Sequence, residues 1–254
     1  MNNEIIKGEI YGVAGPTVTA KGMDGAKMHT VCHVGKGGLL GEVIRISGGL
    51  ATLQVYEDTG GLTTGEEVIS FSKPLTVLLG PGLLTNIYDG IQRPLYKIKE
   101  LGGDFIQKGL KFAPLDTSKR WAFTPLKNPG DTVSEGDVLG TIPETECIIH
   151  KVMAPPGLSG VIREIAKGEV CGVEPVCVLE DGTKIELFQE WPVRKPRPFL
   201  SKLPPITPFV TGQRIFDTLL PVADGGTAIV PGGFGTGKTV VEQTIAKFGR
   251  SDIV

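Results

Sequence analysis

Residues 232–239 of this 254-residue sequence read GGFGTGKT and match the pattern G-x-x-x-x-G-K-[ST]. Glycine lacks the Cβ atom that would stop successive backbone N–H groups from curling around phosphate oxygens. Lys238, the candidate catalytic residue, can bridge the β- and γ-phosphates of a nucleoside triphosphate, and the Thr239 hydroxyl can ligate Mg²⁺. The pattern therefore predicts a nucleotide-binding phosphate loop. Its residues are Gly232, Gly233, Phe234, Gly235, Thr236, Gly237, Lys238 and Thr239.

The residues that flank this loop strengthen the prediction. Residues 226–230 (GTAIV) indicate a buried strand, and residues 239–248 (TVVEQTIAKF) indicate an amphipathic helix that ends at Gly249. A helix that begins here directs its unpaired N–H groups and its positive dipole end at a bound anion. Residues 251–254 indicate the next strand, so the segment 209–254 is predicted to hold the first βαβ elements of an incomplete P-loop α/β domain. The alternative is a glycine-rich turn that binds nothing.

The rest of the sequence predicts a mostly β protein. It contains 36 glycines and 19 prolines, and before Glu190 the longest run free of both spans 11 residues, 144–154. Because an average helix already needs about 11–12 residues, a helical bundle is excluded for this part. Residues 1–72 are predicted to close into a small β-barrel, since closure removes exposed strand edges. The candidate strands are 4–10, 27–34, 41–47, 50–56 and 67–71.

Three further segments follow the predicted barrel. Residues 73–110 form a connection with at most one short helical turn, and 111–190 form a second β-rich unit resembling a biotinyl/lipoyl-type sandwich. Residues 191–208 hold six prolines and are predicted to be a stiff linker. Its basic residues could contact a phosphate, although a solvated linker is the default expectation. They are Arg194, Lys195, Arg197 and Lys202.

Composition excludes several functional classes. The formal net charge of −2 gives no strong attraction to nucleic acid or anionic lipid. No apolar run approaches the roughly 20 residues of a membrane span, and the N-terminus has no signal-peptide core. An alternating strand pattern would place His29 and His33 on one face and Cys32 on the other, which disfavours a metal site. The four cysteines are expected to be buried, reduced thiols of a cytosolic protein: Cys32, Cys147, Cys171 and Cys177.

Residues 207–239 (TPFVTGQRIFDTLLPVADGGTAIVPGGFGTGKT) resemble the start of the nucleotide-binding domain of rotary ATPases. Within that superfamily the sequence is similar to the catalytic A subunits of V/A-type ATPases. Phe234 stands where F-type beta subunits usually have alanine, and residues 87–95 (IYDGIQRPL) resemble an A-subunit signature. The β-rich segment occupies the place of the insertion that distinguishes A subunits from their relatives, and residues 8–28 and 51–66 resemble the family's barrel.

Two positions in the loop depart from the usual pattern of this family. Gly233 stands where proline or alanine is usual, and Thr236 stands where serine, alanine or cysteine is usual. Both residues keep the side chains small or short, so phosphate binding is still expected.

The resemblance implies a function for a longer polypeptide. ATP or ADP would bind with Mg²⁺ at an interface with the B subunit in an alternating A₃B₃ ring. Hydrolysis or synthesis would be coupled to rotation and to H⁺ or Na⁺ transport. The ring would be peripheral, on the cytoplasmic face of the membrane, with central stalk subunits and a peripheral stalk that meets the insertion. The catalytic glutamate, the Walker B acid and the adenine pocket are expected after Val254, so the chain is expected to be an N-terminal portion that is inactive alone.

Three alternatives remain open at this point. The chain could be a non-catalytic assembly module of such a protein, with weak nucleotide binding and no ATPase activity. It could be a carrier domain modified at Lys151, which requires that lysine at a hairpin tip. It could also be a relative of transcription-termination helicases, but that class expects a basic RNA-binding barrel. Residues 1–72 instead carry eight acidic and five basic side chains.

Overall fold

A computed structural model of the chain describes residues 5–84, 86–199 and 201–251. The chain divides into two compact units, residues 1–198 and 199–254. The first unit consists mainly of strands and their connections with one short helix, and the second carries the glycine-rich loop between short elements. In the part of the chain that is described, no helix is long and apolar enough to cross a bilayer.

A six-stranded antiparallel barrel opens the first unit and confirms the predicted fold. Its strands are β1 (Ile6–Ala14), β2 (Thr17–Lys21), β3 (Thr30–Val34), β4 (Leu39–Ser47), β5 (Leu50–Val55) and β6 (Glu67–Pro74). They close in the order β1-β2-β5-β4-β3-β6, so each strand pairs on both sides. Alternate residues point inward and form an apolar core that includes Val18, Val34, Val43, Leu53 and Val68.

The barrel corrects two details of the sequence-based prediction. The strand β2 was missed, because its five residues lie between glycine-containing turns and look like part of one long loop. His29 was predicted to lie in a strand, but β3 begins at Thr30 and His29 has a φ of +64° just before it. Cys32 is buried and His33 half-buried, which confirms their opposite faces. The residue Glu4, the start of a predicted strand, lies outside the described residues.

The connection after the barrel contains a strand and a helix. Strand β7 (Thr76–Leu79) pairs antiparallel with β16 (Gln189–Pro192), and α1 (Leu95–Gly102) has eight residues. The prediction of at most one short helical turn was therefore wrong. Proline is well suited to a helix start, and the run from Leu95 to Leu101 contains neither glycine nor proline. A helix of two turns can therefore follow Pro94 and bury Ile98.

The second β-rich part forms two facing four-stranded sheets, which confirms the sandwich. The strands are β8 (Arg120–Pro125), β9 (Thr132–Val133), β10 (Val138–Pro143), β11 (Ile149–Met153), β12 (Gly160–Ile165), β13 (Gly168–Cys171), β14 (Pro175–Leu179) and β15 (Lys184–Glu186). One sheet has the order β11-β10-β8-β13 and the other β15-β14-β12-β9, and both contribute to one apolar core.

The position of Lys151 in the sandwich contradicts the hypothesis of a carrier domain modified at that lysine. Lys151 lies within β11, where it pairs with Thr141 of β10, and not at the hairpin tip that a carrier lysine needs.

All four cysteines are free, and Cys32 and Cys177 are buried as expected. Cys147 is exposed, contrary to the prediction, because it lies in the turn between β10 and β11.

Buried carboxylates join the segments of the first unit. The fully buried Glu42 in β4 accepts hydrogen bonds from Arg194 Nε and Nη2, both at 2.8 Å, and from the Tyr56 hydroxyl at 2.5 Å. Arg194 was expected to be a solvated linker residue. It is instead the charge partner of Glu42, and the bidentate pair fixes the proline-rich segment against the barrel.

A second buried carboxylate holds the connection. Glu57 accepts hydrogen bonds from Arg93 Nη1 at 3.0 Å and from the Gly109 N–H at 2.7 Å. Arg93 also pairs with Asp89 at 2.7 Å. The side-chain amide of Gln92 exchanges two 2.7 Å hydrogen bonds with the backbone of Leu78 and so covers the free edge of β7. Asp89, Gln92 and Arg93 of the IYDGIQRPL segment thus make structural contacts within the first unit.

We expect Glu42→Gln to reduce stability in a pH-dependent way. Hydrogen bonds from Arg194 and Tyr56 hold the pKa of Glu42 at about 2, below its usual value of 4.5. Its carboxylate therefore stabilises the folded state fully above pH 4.5, and this contribution is lost as the pH falls toward 2. The free energy of unfolding of the variant should lie about 2 kcal/mol below wild type at neutral pH, with the gap closing in acid.

Urea unfolding between neutral pH and about pH 3 measures this gap, followed by the fluorescence of Trp121 and Trp191, both in the first unit. Glu67→Gln is the matched control, because Glu67 pairs with Lys7 at the exposed surface. Its effect should stay within about 0.5 kcal/mol. A gap for Glu42→Gln that does not change with pH would contradict the assignment.

Candidate phosphate-binding site

The glycine-rich loop leads directly into the longest helix of the described chain, α3 (Lys238–Phe248). Gly235 and Gly237 both have a φ of +81°, and Gly237 occupies the N-cap position of the helix. Residues with a Cβ atom rarely adopt this left-handed conformation, so glycine is the residue that allows the chain to turn into a helix here. The predicted helix at 239–248 is therefore confirmed, with its start one residue earlier.

The N-terminal end of α3 keeps a set of unpaired backbone donors. Val241 is the first residue to donate an intrahelical hydrogen bond, to the Gly237 carbonyl at 3.0 Å. The N–H groups of residues 238–240 precede that bond and point out of the helix end. Aligned peptide dipoles add positive potential at the same place. The arrangement favours an anion at the start of α3.

Two hydrogen bonds close the loop upon itself. Lys238 Nζ donates to the Gly232 carbonyl at 2.5 Å, and Thr236 Oγ1 donates to the Gly233 carbonyl at 2.9 Å. A Cβ atom on Gly232 would collide with Thr236 Oγ1, so glycine is required for this closure. Since an ammonium group binds a charged phosphate more strongly than a neutral carbonyl, Lys238 can exchange this contact for a phosphate oxygen.

The loop is open to solvent and accessible to a ligand. Residues 232–236 are exposed, and Phe234 at the tip is fully so. Thr239 is exposed at the start of α3, and Glu242 is exposed farther along the helix. Among the described residues no group of three or more His, Cys, Asp or Glu could hold a metal ion. A Mg²⁺ ion here would depend on the Thr239 hydroxyl, phosphate oxygens and water.

The strand predicted at 226–230 is not formed. These residues have no strand partner, and the side chain of Ile229 is 86% exposed. A strand requires a neighbour that pairs its backbone N–H and C=O groups. The only strand pair in the described part of the second unit joins β17 (Pro208–Phe209) to β18 (Val222–Ala223). Of the other predicted strand, residues 252–254 lie outside the described residues.

A buried polar contact near α3 was not found by the sequence analysis. Thr211 is 2% exposed, and both its N–H and its hydroxyl donate to Asp217 Oδ1 in α2 (Arg214–Leu219). Neither Thr211 nor Asp217 was distinguished from its neighbours by the sequence. A threonine followed by an aspartate six residues later gives no recognisable signal by itself.

Comparisons with known proteins agree with the fold of the first unit. Residues 10–71 match the family model described as "ATP synthase alpha/beta family, beta-barrel domain". Residues 112–194 match the family model for the barrel-sandwich domain of the ATPsynthase alpha/beta subunit. These ranges contain most of the barrel and the whole two-sheet sandwich.

Two similar proteins match nearly the whole chain. The sequence is 52% identical to the A subunit of the A-type ATP synthase of Methanopyrus kandleri, covering 100% of this chain and 44% of that protein. It is 51% identical to an A subunit of the A-type ATP synthase of Methanospirillum hungatei, the one numbered 2, covering 98% of this chain and 43% of that protein. The chain thus spans less than half the length of these relatives.

We expect Gly237→Ala to disturb the start of α3, because an alanine at a φ of +81° is strained by about 1–2 kcal/mol. Gly233→Ala is the matched control, since its Cβ atom would meet nothing within 4 Å. Amide hydrogen exchange over residues 241–244, whose N–H groups are the first to be bonded within α3, should accelerate in the first variant and stay at the wild-type rate in the second. Equal exchange in both variants would contradict the role given to Gly237.

Proposed function

Because this chain is homologous over nearly its whole length to the A subunits of A-type ATP synthases, we propose that it works as the N-terminal portion of such a catalytic protein. In this proposal ATP or ADP binds with Mg²⁺ at residues 232–239. The observation that carries the proposal is the left-handed Gly237, which turns the loop so that α3 begins at Lys238. This places a cation, a hydroxyl and free N–H groups at one point of the chain.

Each group at the loop has a distinct chemical role in the proposal. The N–H groups of residues 238–240 hydrogen-bond to phosphate oxygens, and the helix dipole adds to this attraction. Lys238 releases the Gly232 carbonyl and neutralises charge on the β- and γ-phosphates. The hydroxyl of Thr239 holds Mg²⁺, which neutralises charge on the phosphates when it is bound. These groups bind and orient the triphosphate, and Lys238 also stabilises charge that builds up during phosphoryl transfer.

Phosphoryl transfer also needs a residue that orients water, an acidic partner for Mg²⁺ and a further cation. By the resemblance, the first two are expected in other parts of a longer polypeptide, and the further cation is expected to be an arginine of the B subunit. The complete enzyme would be a rotary ATP synthase or ATPase, peripheral on the cytoplasmic face of a membrane. It would couple ATP hydrolysis or synthesis to H⁺ or Na⁺ transport. Its partners would be B subunits in an A₃B₃ ring, the central stalk subunits and a peripheral stalk that meets the sandwich.

We expect Lys238→Ala to weaken binding of Mg²⁺–ATP to the chain by at least about tenfold, because the variant loses a charge-assisted contact to the phosphates. Equilibrium dialysis with radiolabelled ATP in excess Mg²⁺ measures the dissociation constant. Lys247→Ala is the matched control, since Lys247 lies in the last turn of the same helix and contacts Phe248.

The proposal fails if the wild-type chain binds no Mg²⁺–ATP, or if wild type and Lys238→Ala bind it equally. The first result would favour the non-catalytic assembly module over a nucleotide-binding portion. Retained binding by Lys247→Ala alongside loss in Lys238→Ala would support the loop as the site.

A further inference from the structure

A short loop in the second unit holds the end of α3 that is opposite to the phosphate loop. The Arg250 N–H donates to the Val210 carbonyl at 2.8 Å, just after the last residue of the helix. Gly212 has a φ of +76°, and a Cβ atom there would lie 2.9 Å from the Phe248 carbonyl. A Cβ atom on Gly249 would lie 3.0 Å from Phe209 Cζ. The 209–213 loop therefore lies in close contact with the C-terminal end of α3.

The shape of the 209–213 loop is set by one carboxylate oxygen. Asp217 Oδ1 accepts hydrogen bonds from the Thr211 N–H at 2.8 Å and from the Thr211 hydroxyl at 2.7 Å. The same hydroxyl accepts a hydrogen bond from the Gln213 N–H at 3.1 Å. The buried Thr211 hydroxyl thus donates one hydrogen bond to Asp217 and accepts another from the Gln213 N–H. The position of Asp217 therefore determines how this hydroxyl is oriented.

Asp217 is itself fixed and charged. Its N–H donates to the Gln213 carbonyl at 3.0 Å as part of α2. Hydrogen bonds from the side chain and backbone of Thr211 lower the pKa of Asp217 below its usual range, so the carboxylate is ionised at neutral pH. Charge-assisted hydrogen bonds of this kind are stronger than neutral ones. The carboxylate consequently ties α2 to the loop that receives α3.

We propose that Asp217 is a positioning residue for the phosphate-binding site. It holds the 209–213 loop in the shape that receives the C-terminal end of α3, and the N-terminal end of that helix begins at Lys238. Since α3 has 11 residues and is about 16 Å long, a tilt or shift at one end displaces the N–H groups at the other. Asp217 itself contacts no phosphate in this account. The inference rests on the proposed nucleotide binding.

The test compares Asp217→Ala with Asp217→Asn in the whole chain, with two readouts. Asparagine keeps an Oδ1 acceptor for both Thr211 bonds, whereas alanine removes it. We expect amide exchange at residues 246–250 to be at least about tenfold faster in Asp217→Ala, and the dissociation constant for Mg²⁺–ATP to rise about five- to tenfold. Asp217→Asn should restore both quantities to within about threefold of wild type.

Two further variants separate this inference from its alternatives. Lys238→Ala should weaken Mg²⁺–ATP binding by at least about tenfold and leave exchange at residues 246–250 unchanged. Thr211→Val keeps the backbone bond and removes the hydroxyl, so it should give a smaller change in the same direction as Asp217→Ala. It also provides a test if Asp217→Ala does not fold.

Several outcomes would overturn the inference while leaving the proposed function intact. One is wild-type affinity for Mg²⁺–ATP in the folded Asp217→Ala chain, even if its melting temperature falls, because Asp217 would then be structural only. Another is an equal loss of Mg²⁺–ATP affinity in Asp217→Ala and Asp217→Asn. Since asparagine keeps the Oδ1 acceptor, that result would exclude the two Thr211 hydrogen bonds to Oδ1 as the cause. A wild-type chain that binds no Mg²⁺–ATP would instead overturn the proposed function, and the inference with it.

Discussion

A carboxylate that leaves water must keep hydrogen-bond donors, and this constraint organises the first unit. Glu42, Glu57 and Glu144 have side chains that are at most 6% exposed. Each carboxylate accepts hydrogen bonds from a distant segment. Arg194, after the sandwich, donates to Glu42, and Arg93, in the connection, donates to Glu57. The backbone N–H groups of residues 82 and 84 donate to Glu144. The barrel and the sandwich supply apolar cores, whereas the carboxylates fix the irregular segments between them.

The second unit exposes backbone N–H donors at the start of α3, whereas the first unit buries carboxylate acceptors. Left-handed glycines let the chain turn sharply into α3, so that its first N–H groups remain unpaired at an accessible surface. The opposite end of the same helix lies in close backbone contact with the 209–213 loop, in which Thr211 donates hydrogen bonds to Asp217. One end of α3 is thus packed against a loop, and the other end is open to solvent.

The sequence was sufficient for features that have a local signature. Alternating apolar residues and glycine turns predicted the barrel and the sandwich, and the spacing of GGFGTGKT predicted the start of α3. It was insufficient for contacts between distant positions, such as Arg194 with Glu42, which are 152 residues apart. The strand predicted at 226–230 shows a second limit. Apolar, β-branched residues suit a strand, but a strand forms only where a neighbour supplies the paired backbone.

The proposed function depends on nucleotide binding at residues 232–239. Titration of the ¹⁵N-labelled chain with Mg²⁺–ATP tests it most directly, because each backbone amide reports its own surroundings. Saturable shifts are expected at the amides of Gly235, Gly237, Lys238 and Thr239, with the barrel amides unchanged. Shifts that never saturate would contradict nucleotide binding at this loop. So would shifts in the barrel and the sandwich without any shift at residues 232–239.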